Sequence, residues 1–285
     1  MNKLLKQVFL VCVCLFALIG QALADALSEA ARTDLAEDHA KAAKLYRPLA
    51  KQGNSVAQYS LGFLYERGKG VPQNYKEAAR WYRLAADQGD VNAQWSLGGM
   101  YRFGHGIQQD YKEAVKWYRL AADQGDAEAQ CSLGEMYFAG HGVTKDYAEA
   151  ERWIRQAAEH GSAKAQYNLG ERYFNAANIT KVSSKQIDPQ EYKEAVRWYR
   201  LAAEQGYADA YLRLWYLYRY GLGVPQDYVL AHMWANIAAT NADGRKKQAI
   251  AAELRNKMEK SMTADQIAKA QELAIRCTAN KFIGC

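Results

Sequence analysis

Two histidines have the residue type and the spacing that most suggest a ligand site. His105 and His141 are 36 residues apart, and each stands between two glycines. A zinc site needs three or four ligands, however, and the same position in the other Gly-x-Gly segments holds Lys69 or Leu222. A position that accepts lysine and leucine is typical of a solvent-facing turn. The sequence therefore predicts no metal site and no cofactor.

The common catalytic motifs are missing from the sequence. It contains no H-E-x-x-H, no G-x-S-x-G, no phosphate-binding loop, and neither S-x-x-K nor K-T-G, the motifs of penicillin-binding enzymes. We therefore predict that the protein is not an enzyme. The alternative is a peptidoglycan-active or other envelope enzyme whose groups converge only in the folded chain.

Four basic residues recur directly before a tryptophan, a pattern that could indicate a nucleic-acid-binding face. Each follows an acidic residue by three positions, which is the spacing of an ion pair on a solvated helix face. The net charge is +6, and it becomes +4 (35 Lys and Arg against 31 Asp and Glu) without the first 24 residues. We therefore predict no nucleic-acid binding. The pairs are Glu77–Arg80, Glu113–Lys116, Glu149–Arg152 and Glu194–Arg197.

These residues belong to one stretch that is repeated along the chain. Its second copy spans residues 93–125, and a Leu-Gly pair recurs in the first four copies at intervals of 36 residues. A fixed period of this length predicts an array of stacked units. The pairs are Leu61-Gly62, Leu97-Gly98, Leu133-Gly134 and Leu169-Gly170, and a degenerate fifth copy has Leu214-Trp215.

Each copy predicts two helices, which we call helix A and helix B. Helix A begins after an N-cap residue such as Asn54 and ends at the Gly-x-Gly turn, because glycine suits the left-handed backbone of a helix end. Helix B begins with a predicted capping box, in which Asn74 pairs with Glu77. The same pairing recurs at Asp110 and Glu113 and at Asp146 and Glu149.

Small and large residues at fixed positions predict how the two helices pack. The helix A glycines indicate where a second helix comes close, and the helix B tryptophans are the predicted core residues that fill the space. In the fifth copy Trp215 replaces the glycine, which predicts a looser or shifted packing. The tryptophans are Trp81, Trp117, Trp153, Trp198 and Trp234.

The combined pattern A-Q-x-x-L-G-x-x-Y, G-x-G-V, D-Y-x-x-A-x-x-W-Y and A-A-x-x-G resembles the Sel1-like repeat family of tetratricopeptide-like helical solenoids, in its secreted bacterial form. The resemblance covers residues 38–241. It implies an all-α fold, a right-handed α-solenoid of antiparallel helix pairs with capping helices at both ends. It also implies that the A helices line a concave groove in which protein partners bind.

The repeats divide the chain into four predicted segments. Residues 1–24 have two lysines, an apolar run and a small-x-small site, which predict a signal peptide cleaved near Ala24 and a periplasmic or secreted protein. Residues 25–53 form a capping half-repeat, and residues 54–241 form five repeats with a long polar loop at 175–187. Residues 242–285 form two capping helices, near 243–260 and 263–279, and a tail.

Export makes disulfides possible, and three cysteines remain after the predicted cleavage. Cys277 and Cys285 flank a short tail, and we predict that they form a disulfide. Cys131 stands where other copies have an aromatic residue, and we interpret it as a small packing residue.

Helix A carries apolar residues on two sides, although a helix with one neighbouring layer needs only one apolar face. Tyr59 and Phe63 lie opposite the face of Leu61 in the first copy. The resemblance places this second face on the groove, and aromatic and arginine residues dominate interface energies. The predicted binding residues are Tyr59, Phe63, Trp95, Arg102, Phe103, Phe138, Tyr167, Phe174, Tyr216, Arg219 and Tyr220.

Two interpretations of this face stay open at the level of sequence. The recurring aromatics Tyr59, Trp95 and Tyr167 are also what side-by-side A helices need for packing. The less regular residues, such as Arg102 and Phe103, are then the better candidates for contact with a partner.

The sequence thus predicts an exported scaffold that binds another protein. The resemblance suggests envelope assembly, host interaction or toxin immunity as its role. A glycan-binding module that uses the groove aromatics is a further alternative.

Overall fold

The computed structural model describes residues 22–184, 189–241 and 244–280, without the side chains of residues 179–184 and 189. These residues form an all-α structure in which consecutive helices pack in pairs, as the sequence predicts. The helices are α1 (22–35), α2 (His39–Lys51), α3 (Ser55–Arg67), α4 (Tyr75–Ala86), α5 (Val91–Phe103), α6 (Tyr111–Asp123), α7 (Ala127–Ala139), α8 (Tyr147–Glu159), α9 (Ala163–Ser184), α10 (Pro189–Glu204), α11 (Ala208–Tyr220), α12 (Tyr228–Asn241), α13 (Arg245–Glu259) and α14 (Ala264–Ala279).

The chain divides into two compact units. Unit 1 comprises Met1–Gln124 and Ala139–Lys145, and unit 2 comprises Gly125–Phe138 and Asp146–Cys285. In the part of the chain that the structure describes, none of the helices combines the length and the apolar character that crossing a membrane requires.

The predicted helix A boundaries are confirmed. The side chain of Asn54 accepts a hydrogen bond from the backbone N–H of Ala57 at 2.8 Å and caps α3. The helix ends at Gly68, whose φ of 65° lies in the left-handed region that glycine adopts without strain. Asp90 and Gly104 bound α5 in the same way. Cap residues in the sequence therefore set the helix lengths.

The predicted capping boxes of helix B form only in part. Asp110 accepts hydrogen bonds from the backbone N–H groups of Lys112 and Glu113, as expected. The Glu113 carboxylate, however, accepts from the indole N–H of Trp117 at 3.2 Å and pairs with Lys116 at 3.6 Å. Among the described caps, Thr263 and Gln266 form a capping box with both of its hydrogen bonds.

The helix A glycines do mark a close approach, but tyrosine rather than tryptophan fills the space. A Cβ on Gly98 would lie 2.7 Å from Cδ1 of Tyr118. Gly62 and Gly170 face Tyr82 and Tyr199 in the same way, and Gly134 faces Ile154. Because Trp117 and Tyr118 are adjacent, only the rotational setting of helix B decides which of them meets the glycine.

The helix B tryptophans are core residues, as predicted. Trp81 lies in a cluster with Leu61 and Leu64 of α3, and Trp117 lies in a cluster with Leu97 and Met100 of α5. In unit 2, Trp198 packs in the hydrophobic cluster of α7, α8 and α9, and Trp234 lies in the cluster formed by helices α9 to α14.

The predicted loop at 175–187 is wrong over most of its length. Helix α9 continues to Ser184, and only residues 185–188 lie outside the description. The fourth copy lacks the Gly-x-Gly turn, so nothing in its sequence stops the helix after Tyr173. Asn178 anchors the added turn, since its Oδ1 atom accepts a hydrogen bond from the Tyr192 hydroxyl at 2.8 Å.

The two carboxyl-terminal helices form as predicted, as α13 and α14. Trp215, at the glycine position of the fifth copy, packs with its indole N–H 3.0 Å from the Met258 sulfur on α13. The buried His232 of α12 bonds to Glu259 of α13 at 3.0 Å. Cys277 is disulfide-bonded, but its predicted partner Cys285 lies outside the described residues, so that pairing stays a prediction.

Candidate functional site

The exposed aromatic groups of unit 1 lie on and beside helix α5. Trp95 is 38% exposed and Phe103 is 59% exposed. The guanidinium carbon of Arg102 lies 5.2 Å from the centre of the Phe103 ring, within cation–π range. Arg102 and Phe103 therefore combine apolar area with positive charge, and Trp95 lies about two turns earlier on the same helix.

Tyr59 and Phe63, also in unit 1, mainly pack. Both lie against the core cluster of α4 and α5, and the Tyr59 ring is 5.6 Å from that of Tyr82. Burial, followed by the charge of Asp90, raises the pKa of Tyr59. For these two residues the structure supports the packing interpretation.

In unit 2, the exposed members of the predicted set stand at the carboxyl ends of helices α7 and α11. Phe138 is 58% exposed and Tyr220 is 54% exposed. The guanidinium of Arg219 lies 4.5 Å from the ring centre of Tyr228 and 5.6 Å from that of Tyr220, whose ring also contacts Tyr216. Predicted contact residues at helix ends thus remain accessible.

Phe174 was predicted on the binding surface, and this prediction is wrong. Its side chain is only 8% exposed. The rings of Tyr192 and Tyr216 each meet it edge-on at 5.8 Å, and the guanidinium of Arg213 lies 5.1 Å from its centre. Because α9 does not end after Phe174, the residue lies inside a helix that α10 and α11 cover.

Tyr167 belongs to a polar network that fills the helix A face of unit 2. Arg213 donates two hydrogen bonds to the Glu171 carboxylate, at 2.5 and 2.6 Å. Glu171 also accepts from the Tyr199 hydroxyl at 2.6 Å, and the Tyr167 ring contacts those of Tyr199 and Tyr207. Burial, followed by the Glu171 charge, raises the pKa of Tyr167 to about 12. Side chains of this network satisfy one another, so Tyr167 is a structural residue.

Cys131, the free cysteine among the described residues, is buried, as the packing interpretation requires. Burial and then the Glu135 charge raise the pKa of its thiol to about 12. Since the thiolate is the reactive form, this cysteine has neither the access nor the charge state of a nucleophile.

The two turn histidines stack on tyrosines. The His141 ring lies 4.5 Å from that of Tyr111 with an angle of 10° between the planes, and the His105 ring lies 5.1 Å from that of Tyr75. Within the described residues, no group of three or more His, Cys, Asp or Glu side chains could hold a metal ion.

Sequence reasoning missed a repeated hydrogen bond between successive repeats. An arginine on helix B donates to the hydroxyl of a tyrosine 18 positions later, on the next helix A. Two such pairs lie in unit 1 and two in unit 2: Arg47–Tyr65, Arg83–Tyr101, Arg155–Tyr173 and Arg200–Tyr218. The fixed spacing of 18 was visible in the sequence and could have revealed them.

A second missed feature is a set of buried glutamines at the starts of the A helices. Gln94 donates to the Ala86 carbonyl at 3.3 Å and accepts from Gln124 at 2.9 Å. In unit 2, Gln166 bonds to Ala158 and Gln205 in the same pattern. These bonds satisfy polar groups inside the array and hold each helix pair to its neighbour.

Paired helices, repeated caps and repeated inter-helix hydrogen bonds define a helical repeat scaffold. The Sel1 repeat family matches the chain six times, at residues 28–54, 55–90, 91–126, 127–162, 163–207 and 208–243. The chain therefore belongs to the Sel1 repeat family, and the segment predicted as a half-repeat is matched as the first repeat.

Solved structures of similar sequence include another member of this family. A Sel1 repeat protein from Oxalobacter formigenes is 30% identical with a TM-score of 0.63, over 81% of this chain and 96% of that one. A protective antigen of uropathogenic Escherichia coli with an SLR fold is 29% identical with a TM-score of 0.47, over 85% and 64%. The immunity protein Pa5087 of Pseudomonas aeruginosa is 20% identical with a TM-score of 0.46, over 83% and 82%. No curated protein matches the chain significantly.

Proposed function

We propose that this Sel1 repeat protein is an exported, non-catalytic scaffold that binds another protein through the exposed helix A surface of unit 1. The observation that carries the proposal is the exposure of Trp95 and Phe103 beside Arg102. Trp and Arg are the residue types in which interface binding energy concentrates. Of the predicted binding residues in unit 1, the proposal keeps Trp95, Arg102 and Phe103.

The scaffold supports binding because its surface is formed before the partner arrives. Capped helices and the buried glutamine bonds fix the backbone on which Trp95 stands, with Gln94 hydrogen-bonded to α4. A preformed surface loses little conformational entropy on association, so more of the contact energy appears as affinity.

The second part of the proposal is export. The first 24 residues have the charged start, the apolar run and the small-x-small site of a cleaved signal. We expect the mature protein to begin near Asp25 and to reside in the periplasm or outside the cell. Mass spectrometry of the amino terminus after expression with the native leader tests this, and an intact Met1 would contradict it.

The test of binding is capture from envelope extracts with residues 25–285, followed by identification of the bound molecules. The variant combines Trp95→Ala with Arg102→Ala, and we expect a loss of affinity of at least about tenfold, in keeping with the effect of removing interface hot spots. Circular dichroism should match the wild type, and thermal unfolding should show the variant to be folded at the assay temperature.

The matched control combines Leu120→Ala with Lys116→Ala on helix B of the same unit. Both side chains are exposed, and the change in charge and apolar area is of the same kind. The control should bind normally. Equal loss in both variants, or loss accompanied by unfolding, contradicts a helix A site, and capture of polysaccharide in place of protein favours the glycan-binding alternative.

A further inference from the structure

One edge of unit 1 carries most of the net positive charge of the chain. It consists of three turn segments, residues 67–76, 102–112 and 139–145, and we call it the turn edge. These segments contain six Lys or Arg residues against one Asp, a net of +5, while the whole chain has +6. The corresponding turn of the fifth copy, residues 219–229, has one Arg and one Asp. The first two turns are thus more positive than the turn of the fifth copy.

The three segments form one continuous edge. A Cβ on Gly106 would meet the backbone of Tyr75 and Lys76, so the second turn lies directly on the start of α4. Gly142 lies on the backbone of Tyr111 and Lys112 in the same way. Each turn therefore places its side chains beside those of the preceding helix B.

Three lysines of this edge are not compensated by ion pairs in the part of the chain that the structure describes. Lys69, Lys76 and Lys112 are exposed, and within the described residues none of the three forms an ion pair. The acidic residues next to the two helical lysines point elsewhere: Glu77 pairs with Arg80 at 3.4 Å, and Glu113 with Lys116 at 3.6 Å. Asp110 is used as the N-cap of α6.

Aromatic rings lie between these cations, and each has a face in contact with a neighbouring side chain. His105 stacks near-parallel to Phe103 at 5.7 Å as well as to Tyr75, and Arg102 also lies over the Phe103 ring. His141 covers Tyr111. These contacts occupy ring faces on which a nucleobase would otherwise stack. Ring edges carry partial positive charge, which suits carboxylates.

We propose that the turn edge of unit 1 binds an acidic segment of the partner protein, in which carboxylates alternate with apolar side chains. Charge complementarity supports this occupant, and the proposal rests on the protein-binding function given above. The edge is continuous with the helix A surface through Arg102 and Phe103, so one partner can use both.

The test reverses three charges with Lys69→Glu, Lys76→Glu and Lys112→Glu. Lys76 and Lys112 are the second residues of α4 and α6, where an acidic side chain interacts favourably with the helix amino terminus, so the variant should fold. The control, Lys246→Glu with Lys257→Glu and Lys260→Glu on and beside α13, changes the net charge equally on exposed residues of unit 2.

The probe is a fluorescent synthetic peptide that alternates Asp or Glu with Phe or Leu. We expect the reversal variant to bind the peptide at least about tenfold more weakly than the wild type, and the control to differ by less than about twofold. The reason is that salt screens the charges that lie far from the bound peptide. Wild-type binding should weaken as NaCl rises, and the Asn and Gln version of the peptide should not bind.

Several outcomes overturn the inference. They are no binding of the acidic peptide, equal binding of its amide version, equal weakening in the control, or tighter binding of single-stranded oligothymidylate or phosphatidylglycerol vesicles. Capture of a protein partner by the reversal variant at the wild-type level also overturns it and leaves the proposed function standing. Lysine-dependent peptide binding without any captured protein supports the edge and counts against the helix A site.

Discussion

Two neighbouring glycines on helix α5 are expected to respond to alanine in opposite directions. Gly98 faces the buried ring of Tyr118, where a Cβ would lie 2.7 Å from Cδ1 and 2.8 Å from Cε1. At Gly99 the nearest atom to a Cβ would be the Tyr118 hydroxyl oxygen at 3.7 Å, an ordinary van der Waals distance. The two substitutions therefore share a helix and a chemical change and differ in the space available.

The magnitudes follow from this geometry. Carbon atoms rest about 3.5–4.0 Å apart, so the Tyr118 ring must retreat by about 0.8 Å to admit a methyl group in place of the Gly98 hydrogen. Overpacking of this kind costs about 1–3 kcal/mol, and the better helix propensity of alanine returns about 0.5–1 kcal/mol. Taking the middle of each range, we expect Gly98→Ala to lose about 1 kcal/mol net and Gly99→Ala to gain about 0.5–1 kcal/mol.

Urea unfolding followed by far-UV circular dichroism measures both variants, with the slopes compared to exclude a change in cooperativity. A third protein, with Tyr118→Leu, removes the ring, and in that background Gly98→Ala should become nearly neutral because the two sites are coupled. A Gly98→Ala variant as stable as the wild type would refute the account of why the Leu-Gly pair recurs.

Two further predictions concern unit 2. Glu171→Gln should destabilise the protein by about 1–3 kcal/mol, because it leaves the partly buried Arg213 without its bidentate carboxylate. The control Glu77→Gln, at an exposed ion pair, should cost less than about 0.5 kcal/mol. Equal losses of the two variants in urea unfolding would contradict a structural role of the network. For Cys131, the raised pKa of about 12 means that the unfolded chain loses its thiol proton first as pH rises above 9. The free energy of unfolding therefore falls as pH rises in that range. Between pH 8 and pH 10 the wild type should lose about 1.4 kcal/mol through Cys131, and the Cys131→Ala variant should not show this loss. Parallel pH profiles of the two proteins would contradict the prediction.

The helical array could be predicted from sequence because each copy contains the cap residues that begin and end its helices. Asn54 and Gly68 act through the local backbone, so their effect can be read without knowledge of the tertiary structure. The extension of α9 could not be predicted from the same signals, since the missing Gly-x-Gly turn looked like a longer loop. A missing stop signal permits a helix to continue when its residues have helical propensity, as the two alanines after Asn175 do.

The candidate site was predicted only in part, for a physical reason. Trp95 and Phe174 both lie on helix A at positions that face away from the leucine of the Leu-Gly pair, yet one is exposed and the other is buried. What separates them is the length of the next connection and the residues it brings, such as Tyr192 over Phe174. Those are long-range contacts that helical periodicity does not specify.

The central claim is that Trp95 and Arg102 contribute to partner binding directly, and not through the fold of the scaffold. The most direct test is titration calorimetry of the captured and purified protein partner against the wild type, against Trp95→Ala with Arg102→Ala, and against Leu120→Ala with Lys116→Ala. We expect a dissociation constant at least about tenfold higher for the first variant alone, with both variants folded at the assay temperature. Equal dissociation constants for all three proteins would contradict the claim.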